Sequence, residues 1–314
     1  MSATTQGILA LTTGIAVFSV QDLILKQLSG DYPLHQAMVL RSLVALPFHL
    51  AIVWWFDGRL STITTPGWPK MLARGLLGFV AYAAYYLGLA SLPMAETVAL
   101  YFTGPLFITL SAALFLGERV GFGSAMAVAA GFAGVLLIVK PGSEGFDLAA
   151  LLPVLGALGY ALAMVAARPL GRTETVAAMA FWGNLCFLFC ALALSAVYGT
   201  GTYAGAAHPS LAFLTRHWVM PDATDLALMA ACGVIAAFGL TLLTHSYRIA
   251  PAPSVAPFEY SFMFWAVLWG WLVWGDFPDS FGWLGIAVIV AAGLVVIRAP
   301  SAPASEKAAP EGAA

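Results

Sequence analysis

Four charged side chains stand inside long apolar stretches of this sequence, where an idle charge is costly. Asp22 and Lys26 lie four residues apart in VQDLILKQL, so a helix would present both on one face. Arg41 follows in the next apolar segment, at a similar depth if the two segments run antiparallel. Together the three could hold a substrate carboxylate or phosphate. The competing reading is an Asp22–Arg41 ion pair that pins two helices, with Lys26 stretching its charge to the edge of the apolar layer. Glu259, in SVAPFEYSFMFWAVLW, follows Pro257 by two residues. That proline removes a backbone donor and breaks the helix, freeing carbonyls near the carboxylate. Glu259 is therefore expected to face a cavity, as a substrate contact or a proton-exchanging group. Tyr260, Phe258, Phe262 and Trp265 around it offer flat surfaces to a planar ligand, with packing as their plainer role.

The elements that position these residues follow from composition. Of 314 residues, 61% are hydrophobic and 9% charged, against about 25% charged in a soluble domain. The chain is therefore expected to be all-α and embedded in a lipid bilayer. A span takes roughly 20 apolar residues. Ten such segments can be drawn: 6–28, 34–56, 71–90, 95–116, 121–139, 148–168, 175–198, 225–247, 253–274 and 280–298. The first reads as a span, since it lacks a basic leader and a cleavage site. The tail, 299–314, reads as disordered. With the N-terminus in the cytoplasm, the inner links hold nine Lys and Arg residues and the outer links three, a bias that puts both ends inside.

The sequence also repeats. ASLPMAETVALYFTGPLFITLSAALFLGERVGFGSAMAVAAGFAGVLLI (90–138) matches RIAPAPSVAPFEYSFMFWAVLWGWLVWGDFPDSFGWLGIAVIVAAGLVVI (248–297). Pro93 aligns with Pro251, Gly117–Glu118 with Gly275–Asp276 and Gly134 with Gly293. Five segments per copy, an odd number, turn the second half upside down. Such inverted repeats around a midplane site are an architecture of secondary transporters. The register sets Tyr101 where Glu259 stands and Phe102 opposite Tyr260, with a helix break at Gly104–Pro105. Thr97, Tyr101 and Thr103 could offer hydroxyls to the cavity. Glu96, Glu118 and Asp276 read as helix-end carboxylates, and His49 as a packing histidine in preference to a proton relay.

ALYFTGPLFITLSAALFLGER followed by GFAGVLLIVKPG resembles the EamA repeat of the drug/metabolite transporter superfamily, and APFEYSFMFWAVLWGWLVWGDFP resembles its second copy. The resemblance runs over about residues 6–298. It implies ten transmembrane helices in two inverted five-helix repeats, 6–140 and 148–298, around a central cavity. It further implies carriage of a small organic metabolite across the inner membrane. Its first-helix and FEY patterns are similar to the branch with riboflavin-type and S-adenosylmethionine-type uptake carriers, and its repeat motifs are shared with exporters of amino acids and related compounds.

Other classes fare worse. The net charge of −2, without a basic block, argues against nucleic acid. HExxH, Walker, GxSxG and CxxC motifs are all missing, so no enzyme chemistry, cofactor or metal is expected. Cys186 and Cys190, one helical turn apart, read as small apolar residues. A channel or receptor would differ from a carrier in lacking saturable counterflow. The long outer link, 199–223, suits either a lid or an interfacial segment.

Overall fold

The computed structural model describes residues 2–116, 122–140, 147–249 and 256–298. All regular structure among them is helical. The helices are α1 (Ala3–Leu28), α2 (Leu34–Asp57), α3 (Trp68–Ser91), α4 (Met94–Tyr101), α5 (Gly104–Leu116) and α6 (Phe122–Val139). They continue with α7 (Leu151–Leu170), α8 (Val176–Tyr198), α9 (Pro209–Thr215), α10 (Ala223–Ile249), α11 (Ser261–Trp269) and α12 (Ser280–Arg298). Every apolar segment anticipated above contains helix. Seven stretches are long and apolar enough to cross a bilayer, and two shorter apolar helices cover Ala125–Val139 and Ser280–Val295.

Local chemistry sets the ends. Ser2 Oγ accepts from the Thr5 amide at 3.2 Å and Thr175 Oγ1 from the Ala178 amide at 3.1 Å, each occupying a donor that a helix start leaves open. α2 stops at Gly58, whose φ of 70° suits glycine. α4 ends at Phe102 and α5 restarts at Gly104–Pro105, where a first-turn proline costs no hydrogen bond. The break anticipated at Gly104–Pro105 is thus present. On the other copy, Pro257 and Glu259 fall in a 3₁₀ turn, Ala256–Tyr260, directly before α11. Glu259 therefore sits at a helix entrance and not inside the helix that the segment drawn from residue 253 implied. A π-helical turn, Gly270–Trp274, follows α11 and ends at the left-handed Gly275.

The packing partners are α1 with α10, α3 with α7, α6 with α12, α2 with α8 and α10, and α3 with α8. In addition α4 meets α11 and α7, and α1 meets α11. Exchange each segment with the one five places along, and this set maps onto itself: α1·α10 becomes α7·α3, and α1·α11 becomes α7·α4. Small residues permit the closest crossings. Gly134 and Gly285 bring α6 and α12 together, since a Cβ on Gly134 would come 3.0 Å from the Gly285 carbonyl oxygen.

The outside of the bundle is apolar: Trp55, Phe122 and Leu114 are 82%, 82% and 79% exposed. In water such a surface would drive association; in lipid it is the expected coat. Exposed Trp54, Trp55 and Trp68 gather at one end of the bundle and Trp218 and Trp283 at the other, as interfacial aromatics do. Gly117, Glu118, Arg119, Pro251 and the tail 299–314, on which several expectations rest, lie outside the described residues.

Candidate functional site

The interior polar groups collect where α1, α2 and α3 meet. On α3, Tyr82, Tyr85 and Tyr86 are spaced i, i+3, i+4, so one face carries three rings. The Tyr85 hydroxyl donates to Asp22 Oδ2 and the Tyr86 hydroxyl to Asp22 Oδ1. Tyr86 also accepts from Gln21 Nε2 at 2.9 Å, and Gln21 Oε1 accepts from Arg41 Nε at 3.3 Å. Asp22, 3% exposed, is thereby held by neutral hydroxyls. Hydrogen bonds to a charged group each contribute about 1.5–3 kcal/mol and offset the cost of burying the carboxylate.

Arg41 does not pair with Asp22 directly. Its guanidinium lies over the Tyr82 ring, 4.8 Å from the centroid, with the Phe187 ring of α8 at 5.8 Å. Stacked guanidinium leaves its in-plane donors available to a planar or acidic ligand. The Tyr82 hydroxyl is buried with no hydrogen-bond partner among the described residues. Tyr101 extends the aromatic wall, its ring 4.9 Å from Tyr85 and 5.8 Å from Tyr160 of α7. Glu259 lies within electrostatic range of Tyr101, Tyr160 and Tyr260. The arrangement is a compact chamber of tyrosine rings, its interior filled by these side chains themselves, with Asp22 at one side and Arg41 at the other.

The end of the bundle nearest this chamber is closed by segment 199–223. Gln36 holds Val219 twice, donating to its carbonyl at 2.7 Å and accepting from its amide at 3.0 Å. Arg216 donates to the carbonyls of Ser29 and Tyr32, while Phe213 of α9 is fully buried. Tyr32 donates to Asp225 at 2.7 Å; that hydrogen bond pushes the tyrosine's own ionisation up.

Comparison with known proteins gives this geometry a context. The description of the EamA-like transporter family matches residues 5–140. A riboflavin transporter of Rhizobium johnstonii is 35% identical over 73% of this chain and 70% of its own length. The chain belongs to the EamA-like transporter family. It is a multi-pass membrane protein and a secondary transporter of small metabolites. A pseudopaline exporter of Pseudomonas aeruginosa is 27% identical over 93% of this chain and 96% of its own. An S-adenosylmethionine uptake transporter of Rickettsia felis is 24% identical over 85% and 82%. A solved structure 19% identical, covering 93% of this chain and 96% of that one, superposes with a TM-score of 0.60 and shares the fold.

Within this transporter fold, the residues singled out from the sequence separate into two groups. Asp22, Arg41 and Tyr101 come together in the chamber, and Glu259 stands near its tyrosines. Lys26 does not join them. Its ammonium donates to the Leu89 and Leu92 carbonyls at the end of α3 and lies 5.2 Å from the Trp274 ring. Proximity along α1 gave it the right face; its length carries the charge away to the bundle end, beside a cavity of about 530 Å³ that Asp276 also lines. Trp265 is spent in packing, stacked on Trp269 at 6.0 Å and set against Leu11 and Ile15. Tyr260 turns its ring edge to Phe102 at 4.9 Å and buries its hydroxyl against Gly293. Thr97 and Thr103 donate to the Pro93 and Leu100 carbonyls, so each spends its hydroxyl hydrogen on nearby backbone. Cys186 and Cys190 are free thiols 4.0 Å apart, and no group of three or more metal-ligating side chains occurs among the described residues.

Reasoning from charge alone passed over Gln21, Tyr82, Tyr85 and Tyr86. The signal was in the sequence: AYAAYYLG on α3 repeats tyrosine at one-turn spacing. In a segment this apolar, hydroxyls on one face need a buried partner, and for Tyr85 and Tyr86 that partner is Asp22.

Proposed function

We propose that this transporter moves a planar, heteroaromatic metabolite of the riboflavin type across the cytoplasmic membrane by alternating access. The observation that carries this reading is the buried cluster of tyrosine rings between Asp22 and Arg41, which would present flat walls and hydrogen-bonding groups to a ligand as the two halves rock apart. A ring system stacks on such walls, and acceptors on its edge meet Arg41 and Tyr82. The name of the Rhizobium johnstonii relative, and that of a Vibrio cholerae riboflavin transporter 30% identical over 71% of this chain, support the same class.

Ten spans in two inverted halves, 6–140 and 148–298, supply the rocking units. The sequence repeat and the exchange symmetry of the helix contacts support that division. Both termini lie in the cytoplasm, on the strength of the Lys and Arg bias. In this scheme Asp22, Arg41 and Tyr101 contact substrate. Glu259 takes up and releases a proton as the halves exchange, because an acid at a helix entrance near buried tyrosines changes solvent access when they rock. A second reading, export of an amino-acid-like metabolite, draws on the pseudopaline exporter, whose match spans nearly both chains.

The test is counterflow in proteoliposomes against riboflavin, S-adenosylmethionine, aromatic amino acids and nucleobases. Saturable exchange of riboflavin is expected. Exchange of amino acids alone would replace the first reading by the second, and flux without saturation would indicate a channel. Glu259→Gln is expected to abolish the pH dependence of exchange; unchanged rate and pH profile would remove Glu259 from the coupling.

A further inference from the structure

At the other end of α2 the structure holds a half-open cavity of about 240 Å³, bordered by α2, α8 and α10, with a mostly apolar lining. Its floor is His49. The ring is only 4% exposed, yet it lines the cavity and makes no hydrogen bond to another described residue. Buried polar groups in an apolar bundle nearly always have partners, so an unpaired imidazole facing an open volume is positioned for a ligand. Two turns further along α2, Asp57 lines the same cavity. Its Oδ2 accepts from Thr62 at 2.9 Å and Thr175 at 2.7 Å, which orients the carboxylate and leaves Oδ1 free to accept. The walls between are apolar from Ile52, Ala180 and Leu240, while Thr175, Thr241 and a second, exposed imidazole, His245, complete the lining.

This cavity is separate from the chamber described above. Arg41, eight residues before His49 on the same helix, points between Gln21 of α1 and Tyr82 of α3. His49 turns instead toward α8 and α10. Eight residues of helix span about 12 Å, which is also the distance from His49 to Asp57 along α2. A single small ring is too short to serve both groups.

We propose that the cavity between α2, α8 and α10 is a second ligand subsite, taking an uncharged bicyclic or tricyclic heteroaromatic with an amide or imide edge. Asp57 accepts from the ring N–H of that edge, His49 donates to a ring nitrogen beyond it, and the apolar walls cover the faces. The inference rests on the carrier reading in one respect: the subsite is a station that substrate occupies apart from the tyrosine chamber.

The experiment is chemical modification of the full chain in detergent with diethyl pyrocarbonate, the rate at each histidine read by peptide mass spectrometry. The probes are lumichrome, a tricyclic imide, and uracil, a single-ring imide. Lumichrome is expected to slow modification of His49 about fivefold or more near saturation, with uracil much weaker. His217, exposed at the opposite end of the bundle, should react at an unchanged rate. Ala180→Trp, which fills the cavity from α8, should slow His49 modification and remove the effect of lumichrome. His49 that is inert in the wild type, or equally reactive with and without lumichrome, overturns the proposal. So does protection that survives Ala180→Trp. Failure of the carrier reading would show separately, as absent counterflow with His49 protection intact.

Discussion

Tyr86 and Asp22, on facing helices, form the hinge of the interior polar network: the Tyr86 hydroxyl donates to Asp22 Oδ1 while accepting from Gln21. Because Gln21 in turn accepts from Arg41, the acid and the base of the chamber are linked through two neutral side chains and not by an ion pair. An ion pair would have consumed both charges. The relay leaves Arg41 with free donors while fixing its position.

Asp22→Asn replaces one accepting oxygen by an amide donor, so one tyrosine loses its partner. A loss of about 1.5–3 kcal/mol is expected, read as a lower unfolding midpoint in detergent. Tyr85→Phe should cost less once Asp22→Asn is present, with a coupling of about 0.5–3 kcal/mol. Additive effects would show that the two groups do not share a bond.

Arg41→Lys keeps the charge and loses the planar stack on Tyr82 and Phe187. The half-saturation concentration for riboflavin counterflow is expected to rise about tenfold, equivalent to roughly 1.4 kcal/mol, with the unfolding midpoint little changed. An unchanged half-saturation concentration would take Arg41 out of the substrate site.

Gly293→Ala would drive a methyl group into the Tyr260 hydroxyl. Destabilisation of about 1–3 kcal/mol is expected. Tyr260→Phe should relieve most of it, because the hydroxyl is the atom that clashes, and it has no hydrogen bond to lose among the described residues. Equal destabilisation in both backgrounds would rule out this contact as the cause.

Lys140, at the end of α6, pairs with Asp279 at the start of α12, outside the apolar layer. The hydrogen bond from Lys140 holds the Asp279 carboxyl below the usual carboxylate range. A depressed folded value means the stabilisation is present above the unfolded value near 3.9 and is lost as pH falls through the folded one. The pair is exposed, so its contribution stays under about 1 kcal/mol. Asp279→Asn should therefore lower the unfolding midpoint slightly at pH 7 and not at pH 2–3. A difference that persists undiminished in acid would point to another cause.

Much of the molecule is legible in its sequence for a physical reason: lipid imposes one rule on every segment. Apolar runs of bilayer length must be helical, since a backbone in hydrocarbon has no other way to pair its polar groups. Helix boundaries at Gly58, at Gly104–Pro105 and before α11 follow from residues whose backbone preferences are local. The proximity of Asp22 and Arg41 was also readable, because two charges at equal depth in adjacent segments have few other destinations.

Tertiary structure decided the rest, wherever the outcome depended on reach and on partners distant in sequence. Lys26 shares a face with Asp22, but only the position of the α3 end shows that its long side chain serves carbonyls there. Trp265 has the flat ring a ligand site needs, but Trp269 already covers it. The chain's own order determined that it spans a membrane, that it repeats, and which residues carry charge into the interior. Which of those residues meet was settled by helix crossings, because side-chain contacts between α1, α2 and α3 depend on rotation about helix axes that no local pattern encodes.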